Sequence, residues 1–253
     1  MRCGILFNGN QNLFKPYLEW ILDSTNNSDN IKISGIHTNN INLFNSNFLE
    51  YGVELNGDIN DLLDKSDVVF SLGYWKILKN YQIKKVKLGI VNFHHSYRLK
   101  YKGRHCGTWA IRNGEKYHGS TIHFIDENVD RGQIIDTERF EIENHHTSED
   151  LFLIANKIGL KLLKKNFYKI IQGEISSFID EDSDCFVYRE KQMSHEIDFR
   201  NIKDKNDLLR EIRSLTFSEK PAPYMIISGQ KIYLKHENHD SGILGKHKNE
   251  RKD

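Results

Sequence analysis

The stretch Val91-Asn92-Phe93-His94-His95-Ser96 ends an apolar run with a carboxamide and an imidazole two residues apart. If residues 88–91 begin a β-strand, Asn92 and His94 project from one face at its carboxyl end. Asp130 follows in an acidic loop, residues 126–132, where a carboxylate could orient that imidazole. Such a trio suits nucleophilic attack on a carbonyl. A neutral imidazole can take a proton from an incoming amine near pH 7. A carboxamide N–H can stabilise the oxyanion that develops, an effect of roughly 3–4 kcal/mol for one donor. A carboxylate can hold the imidazole's tautomer or relay a proton. No Gly-x-Ser-x-Gly elbow is present, and none is needed for direct acyl transfer without a covalent intermediate. From spacing alone, however, Asn-x-His at a strand's end is more often a turn with a satisfied histidine.

Metal chemistry is the competing use of these residues. His94, His95, His105, Cys106, His118 and His123 crowd one region. No His-Glu-x-x-His or His-x-Glu…Pro-Cys-x-x-Cys arrangement accompanies them. With 12 histidines in the chain some clustering is expected, so no metal is expected. Cys106 as a nucleophile is weaker still.

The elements that must position the trio alternate. Residues 3–7, 31–37, 67–73 and 86–93 read as strands, and residues 13–26 and 61–65 as helices. Residues 119–125 and 134–142 add two more strands. A long amphipathic helix spans 147–172 with Gly173 as its C-cap. Strands alternating with helices argue for an α/β, Rossmann-like open and mostly parallel sheet. Ligands of such sheets lie outside the carboxyl ends of the strands, here the loops 8–12, 73–78 and 92–96. Asn8-Gly9-Asn10 reads equally as a ligand loop or as a plain turn. It lacks Gly-x-Gly-x-x-Gly, which argues against a nicotinamide enzyme. Residues 39–47 are polar and irregular, with a weak helix at 47–51 and a short strand at 53–55. The loop 97–104 is basic and aromatic, with Gly103 as its hinge, and a short helix opens at Thr108.

An acidic, Ser-rich stretch, 174–184, marks a boundary. Residues 1–175 form the catalytic domain, and residues 176–240 a small appendage with a helix at 205–215 and a β-hairpin at 224–234. Residues 241–253 are a charged, disordered tail. Lys+Arg (36) nearly balances Asp+Glu (35), so no global field favours nucleic acid. Three widely spaced cysteines give no disulfide framework, and no apolar span reaches membrane length. A cytoplasmic protein is expected.

The motifs resemble those of the 10-formyltetrahydrofolate-dependent formyltransferases. The similar segments are Asn92-Phe93-His94-His95-Ser96, Lys102-Gly103, Trp109-Ala110-Ile111, His118-Gly119-Ser120-Thr121-Ile122-His123 and Asp130-Arg131-Gly132-Gln133-Ile134-Ile135. The resemblance covers residues 1–175. It implies Asn92, His94 and Asp130 as catalytic residues and 10-formyltetrahydrofolate as formyl donor. It places the folate against Gly73, Tyr74, Lys76, Ile77, Leu78, Ile125 and Asp126. The family's Leu-Pro after the Ser is absent from Tyr97-Arg98-Leu99-Lys100.

Within the family, the size and short appendage are most similar to the nucleotide-sugar N-formyltransferases. The implied acceptor is a dTDP- or UDP-linked 3- or 4-amino dideoxy sugar for surface polysaccharide. Asn8, Gly9, Asn10, Gln11, Ser96, Tyr97, Arg98, Tyr101, Lys102 and Arg104 are its candidate contacts, though each basic one reads equally as solvated. A homodimer through the appendage is implied, and exposed Tyr224, Met225 and Ile226 would permit it. A 10-formyltetrahydrofolate hydrolase, another small-amine formyltransferase and a non-catalytic folate or nucleotide binder remain alternatives.

Overall fold

The apolar amino-terminal run becomes strand β1 (Arg2–Phe7), and its residues after Arg2 are all buried. Burial on both sides follows from helices covering both faces of the sheet. The chain is described from a computed structural model over residues 1–7, 11–38, 57–181 and 187–236. The expected segments at 39–56 and the tail from 237 lie outside the described residues.

Along β1 the side chains alternate between two layers. Cys3, Ile5 and Phe7 join helix α1 (Gln11–Asn26) in the larger core, while Leu6 joins helix α2 (Ile59–Lys65) through Leu62 and Leu63. The sheet continues through β2 (Lys32–Thr38), β3 (Val68–Leu72) and β4 (Ile90–His94). Its remaining strands are β6 (Tyr117–Phe124) and β7 (Ile134–Glu141), in the order β2-β1-β3-β4-β6-β7. The first four strands pair in parallel; β6 runs antiparallel to both β4 and β7. The fold is therefore an α/β sheet of mostly parallel strands with flanking helices.

The expected strand at 86–93 is shorter than its apolar run. Gly89 has φ +93°, and its N–H donates to Val86 O at 3.1 Å, so residues 86–89 turn and β4 begins at Ile90. A one-turn helix α3 (Asn80–Ile83), not apparent in the sequence, precedes it. The helix expected from Thr108 begins two residues earlier, as α4 (Cys106–Arg112).

Helix α5 (Ser148–Gln172) carries Leu162, Leu163 and Phe167 into the larger core. Thr147 and Asp150 form a capping box at its start, and left-handed Gly173 ends it. The Tyr17 hydroxyl of α1 donates to the Asn156 carbonyl of α5 at 2.5 Å.

The carboxyl-terminal part contains α6 (Lys205–Leu215), whose Ile212 and Leu215 pack with Ile197, Met193 and Met225. It is joined back to the sheet domain in several places. Strand β5 (Lys102–Gly103) pairs in parallel with β8 (Val187–Tyr188), and Arg112 Nε meets Glu211 at 2.9 Å. The hairpin of β9 (Tyr224–Ile227) and β10 (Gln230–Tyr233) turns in two residues, Ser228 and Gly229, both at positive φ. This is the turn matched to strand twist, and Gln230 opens β10. Met225 packs inward and Tyr224 is half-buried, so the exposed apolar residues are Ile226, Ile227 and Ile232.

Candidate active site

β4 delivers Asn92 and His94 to the carboxyl edge of the sheet, and β6 sets His123 directly opposite Asn92. His123 donates from Nδ1 to the Phe124 carbonyl at 2.9 Å. Its Nε2 therefore faces Asn92 Nδ2 at 3.2 Å and accepts one carboxamide N–H. That fixes which end of the Asn92 amide points where.

Asp130 reaches the same point from the loop after β6. Its backbone is left-handed, with φ +49°. Its carboxylate accepts the Gly103 N–H at 2.8 Å, and lies 3.4 Å from His94 Nδ1 and 3.6 Å from His123 Nε2. The other nitrogen of His94, Nε2, lies 2.5 Å from the Tyr101 carbonyl. A carbonyl only accepts, so this nitrogen carries a hydrogen. The Cys106 thiol sits 3.4 Å from the same Nε2.

Burial disfavours a charge on His94, but the facing Asp130 carboxylate, the Cys106 thiol and the Tyr101 carbonyl outweigh it and push its pKa up to about 9. Burial would likewise raise Asp130, yet the charge of His94 and the Gly103 N–H hold it well below the usual carboxylate range. Both shifts favour an imidazolium facing a carboxylate. His95, beside it in sequence, is a different residue chemically. Its ring stacks on Phe14 and meets Phe152 edge-on, and burial pushes its pKa down to about 3.

This ion pair makes stability depend on pH. His94 is raised from 6.5, so its contribution is whole below about pH 6.5 and is lost as pH rises through about 9. Asp130 is lowered from 3.8, so its contribution is present above about pH 4 and lost as pH falls. Between pH 6 and 10 the wild type is expected to lose on the order of 2–3 kcal/mol that His94→Gln does not lose. Denaturant unfolding of both proteins at the two pH values measures this. Identical pH dependence would contradict the ion pair.

Of the expected acceptor contacts, several belong to the scaffold. Ser96 is wholly buried, and its hydroxyl accepts the Tyr101 N–H at 2.9 Å. Tyr101 is buried and its hydroxyl donates to Glu115 at 2.8 Å; Lys102 is wholly buried as well. All three side chains are thus buried in this structure. Arg98 is held by Asp180 at 2.9 Å, and the Tyr97 ring stands under Arg139 at 5.6 Å. Without a proline, the loop after Ser96 closes through Arg98 and Leu99, both at positive φ. Arg104 remains at a surface, paired with Glu190. Asn8, Gly9 and Asn10 lie outside the described residues; Gln11 begins α1.

The residues expected to contact folate lie in the segment after β3 and at the end of β6. Leu78, Tyr74 and Ile125 share an apolar cluster with Val86 and Ile90. Trp75 and Ile77 are 56% and 77% exposed at its edge, with Lys76 over the Trp75 ring. Gly73, at φ +64°, lies so close to Phe14 that a Cβ would stand 2.4 Å from the ring. Asn80 ties this segment to Glu127 of the Asp130 loop at 3.0 Å, and Asp126 caps that loop by accepting the Asn128 N–H at 2.9 Å.

On the far side of His94 a cavity of about 330 Å³ opens, lined by Phe14, His95, Cys106 and Phe152, and by Leu215 and Phe217 of the carboxyl-terminal part. The sequence did not announce this cavity, nor His123 as a member of the site. The signal for His123 was present in Thr121-x-His123, same-face spacing on a strand, but only pairing register puts it opposite Asn92. Among the described residues no group of three or more His, Cys, Asp or Glu is placed to hold a metal. No helix among them is long and apolar enough to cross a membrane.

Known proteins are similar to this chain. Wigglesworthia glossinidia brevipalpis bifunctional polymyxin resistance protein ArnA is 31% identical over 172 residues, 67% of this chain and 26% of that protein. GDP-perosamine N-formyltransferase of Brucella melitensis biotype 1 is 30% identical over 168 residues, 66% of this chain and 64% of its own length. The chain thus spans less than two thirds of these curated relatives. The structure of WlaRD, a sugar 3N-formyl transferase solved in the presence of dTDP and 5-N-formyl-THF, superposes with TM-score 0.74 at 25% identity, covering 92% of this chain and 84% of that one. The family model described as formyl transferase matches residues 37–164, half of the chain, and the protein therefore belongs to the formyl transferase family.

Proposed function

We propose that this chain transfers the formyl group of 10-formyltetrahydrofolate to the amine of a nucleotide-linked amino sugar. The observation that carries this is the meeting of Asn92, His94 and Asp130 at the wall of a cavity that can admit an acceptor. The apolar residues Tyr74, Leu78 and Ile125, with Trp75 and Ile77 exposed in the same segment, support a flat heteroaromatic ring as the donor. Bound there, the folate would supply the formyl group.

The chain's own residues then divide the work. Asn92 spends one N–H on His123 and offers the second to the formyl oxygen as it becomes negative. The His94 imidazolium lies beside that charge and can release a proton to the departing nitrogen. Asp130 keeps His94 oriented, and the proton lost by the attacking amine returns to the imidazole, so the pair ends as it began, imidazolium facing carboxylate.

The acceptor is a dTDP- or UDP-linked amino dideoxy sugar used for surface polysaccharide, in the cytoplasm. The solved relative crystallised with dTDP, and the relative named for GDP-perosamine, support a nucleotide-linked sugar. Exposed Ile226, Ile227 and Ile232 support a homodimer through the hairpin. The test is incubation with 10-formyltetrahydrofolate and a panel of dTDP-, UDP- and GDP-amino sugars, following tetrahydrofolate release and product mass. Formylated sugar is expected with at least one. Tetrahydrofolate release equal with and without sugar would instead identify a hydrolase.

A further inference from the structure

At the outer end of the cavity, away from His94, one carboxylate is surrounded by donors. Glu190 accepts from Arg104 Nη1 at 2.9 Å, from His105 Nε2 at 3.0 Å and from Lys220 Nζ at 3.5 Å. The four residues come from three separate parts of the chain and all line the cavity. Two cations and one imidazole around a single carboxylate make an anion receptor with charge to spare. Glu190 is 52% exposed and sits on the one-turn 3₁₀ segment Glu190–Gln192, so its side chain can swing into solvent. Arg104 and Lys220 are about half exposed, and would otherwise be solvated.

The receptor and the chemistry also open into one cavity. Arg104 and His105 directly precede Cys106, whose thiol touches His94, and all of them line the same cavity. A sugar in that cavity can present an anomeric diphosphate to the receptor and a ring amine to the trio.

We propose that Arg104, His105 and Lys220 form the subsite for the acceptor's diphosphate, and that Glu190 is an internal counter-ion which the diphosphate displaces. The inference rests on the nucleotide-linked acceptor proposed above, and adds the residues that select it. Two of the four come from the carboxyl-terminal part, which thereby completes the acceptor site. Glu190 also sets a threshold. A ligand must carry more negative charge than one carboxylate to take its place, which favours a diphosphate over a free amino sugar.

Calorimetric titration of the full chain with dTDP, UDP and inorganic diphosphate tests this. Arg104→Gln and Lys220→Gln are each expected to weaken binding of the preferred nucleoside diphosphate about tenfold. Inorganic diphosphate should weaken in the same order. Glu190→Gln is expected to tighten binding, where a merely structural ion pair would leave it unchanged or loosen it. In the transfer assay the same variants should move KM for the sugar nucleotide and leave kcat near wild type. All three positions are at the surface, and melting curves confirm that each variant is folded. Wild-type affinity in both Arg104→Gln and Lys220→Gln overturns the subsite while formyl transfer stands. Weaker binding in Glu190→Gln overturns the displacement. A folded wild type that binds no nucleoside diphosphate overturns the subsite and the nucleotide-linked acceptor together.

Discussion

Asp130→Asn is expected to lower kcat by about 10³-fold and to leave the protein folded. The substitution keeps the side chain's shape, and its remaining carbonyl oxygen can still accept the Gly103 N–H now made at 2.8 Å. What it removes is the negative charge 3.4 Å from His94 Nδ1. Burial then acts on His94 without its main opposing charge, and the imidazole is neutral at pH 7. A neutral His94 still donates from Nε2 to Tyr101, so the ring stays in place but has no proton to release. The loss should therefore fall on kcat more than on either KM, and the activity that remains should grow as pH is lowered. Rates for wild type and variant from pH 5 to pH 10, with folding checked by circular dichroism, decide it. A variant with wild-type kcat would remove Asp130 from the mechanism.

Gly132→Ala carries the largest expected cost in stability. A Cβ at Gly132 would stand 1.7 Å from the Phe124 carbonyl oxygen, 2.8 Å from its carbon and 3.3 Å from Asp126 N. All three are backbone atoms, so no side-chain rotation relieves the overlap. The strand end and the loop must part, and Asp130 lies between them in the chain. A cost of about 3 kcal/mol or more is expected, with a melting temperature about 6–12 °C lower. Activity should fall with it, because the Asp130 carboxylate moves with its loop. Gly57→Ala is the control, since nothing lies within 4 Å of a Cβ there. A Gly132→Ala protein as stable and active as Gly57→Ala would show that the loop is not pinned at this point.

Much of the site could be read from spacing. Asn92 and His94 share a face because a strand has a period of two, and Asp130 follows the next strand but one segment later. The strand and helix order was legible for the same reason, as apolar residues such as Ile5, Val69 and Leu162 recur at the periods of their elements. What spacing does not hold is register and environment. His123 faces Asn92 only through antiparallel pairing of β4 with β6. Ser96, Tyr101 and Lys102 look like polar loop residues, but the chain buries all three, with the Tyr101 hydroxyl on Glu115 and its N–H on Ser96. The protonation of His94 is likewise a property of a folded neighbourhood. It depends on Asp130, the Cys106 thiol and the Tyr101 carbonyl, which are scattered along the chain.

Gly103 has obligations in two directions. Its N–H holds Asp130, and its strand, β5, is completed by β8 from the other end of the chain. Its close approach to Tyr188, whose carbonyl would stand 2.3 Å from a Cβ, leaves no room for another residue. For evolution and for protein engineering this sets a grafting rule. Chimeras that exchange carboxyl-terminal segments between relatives must import a strand able to pair with Lys102–Gly103. Modularity in this chain ends at that two-residue seam, and a donor segment lacking it would be inherited at the expense of the active-site carboxylate.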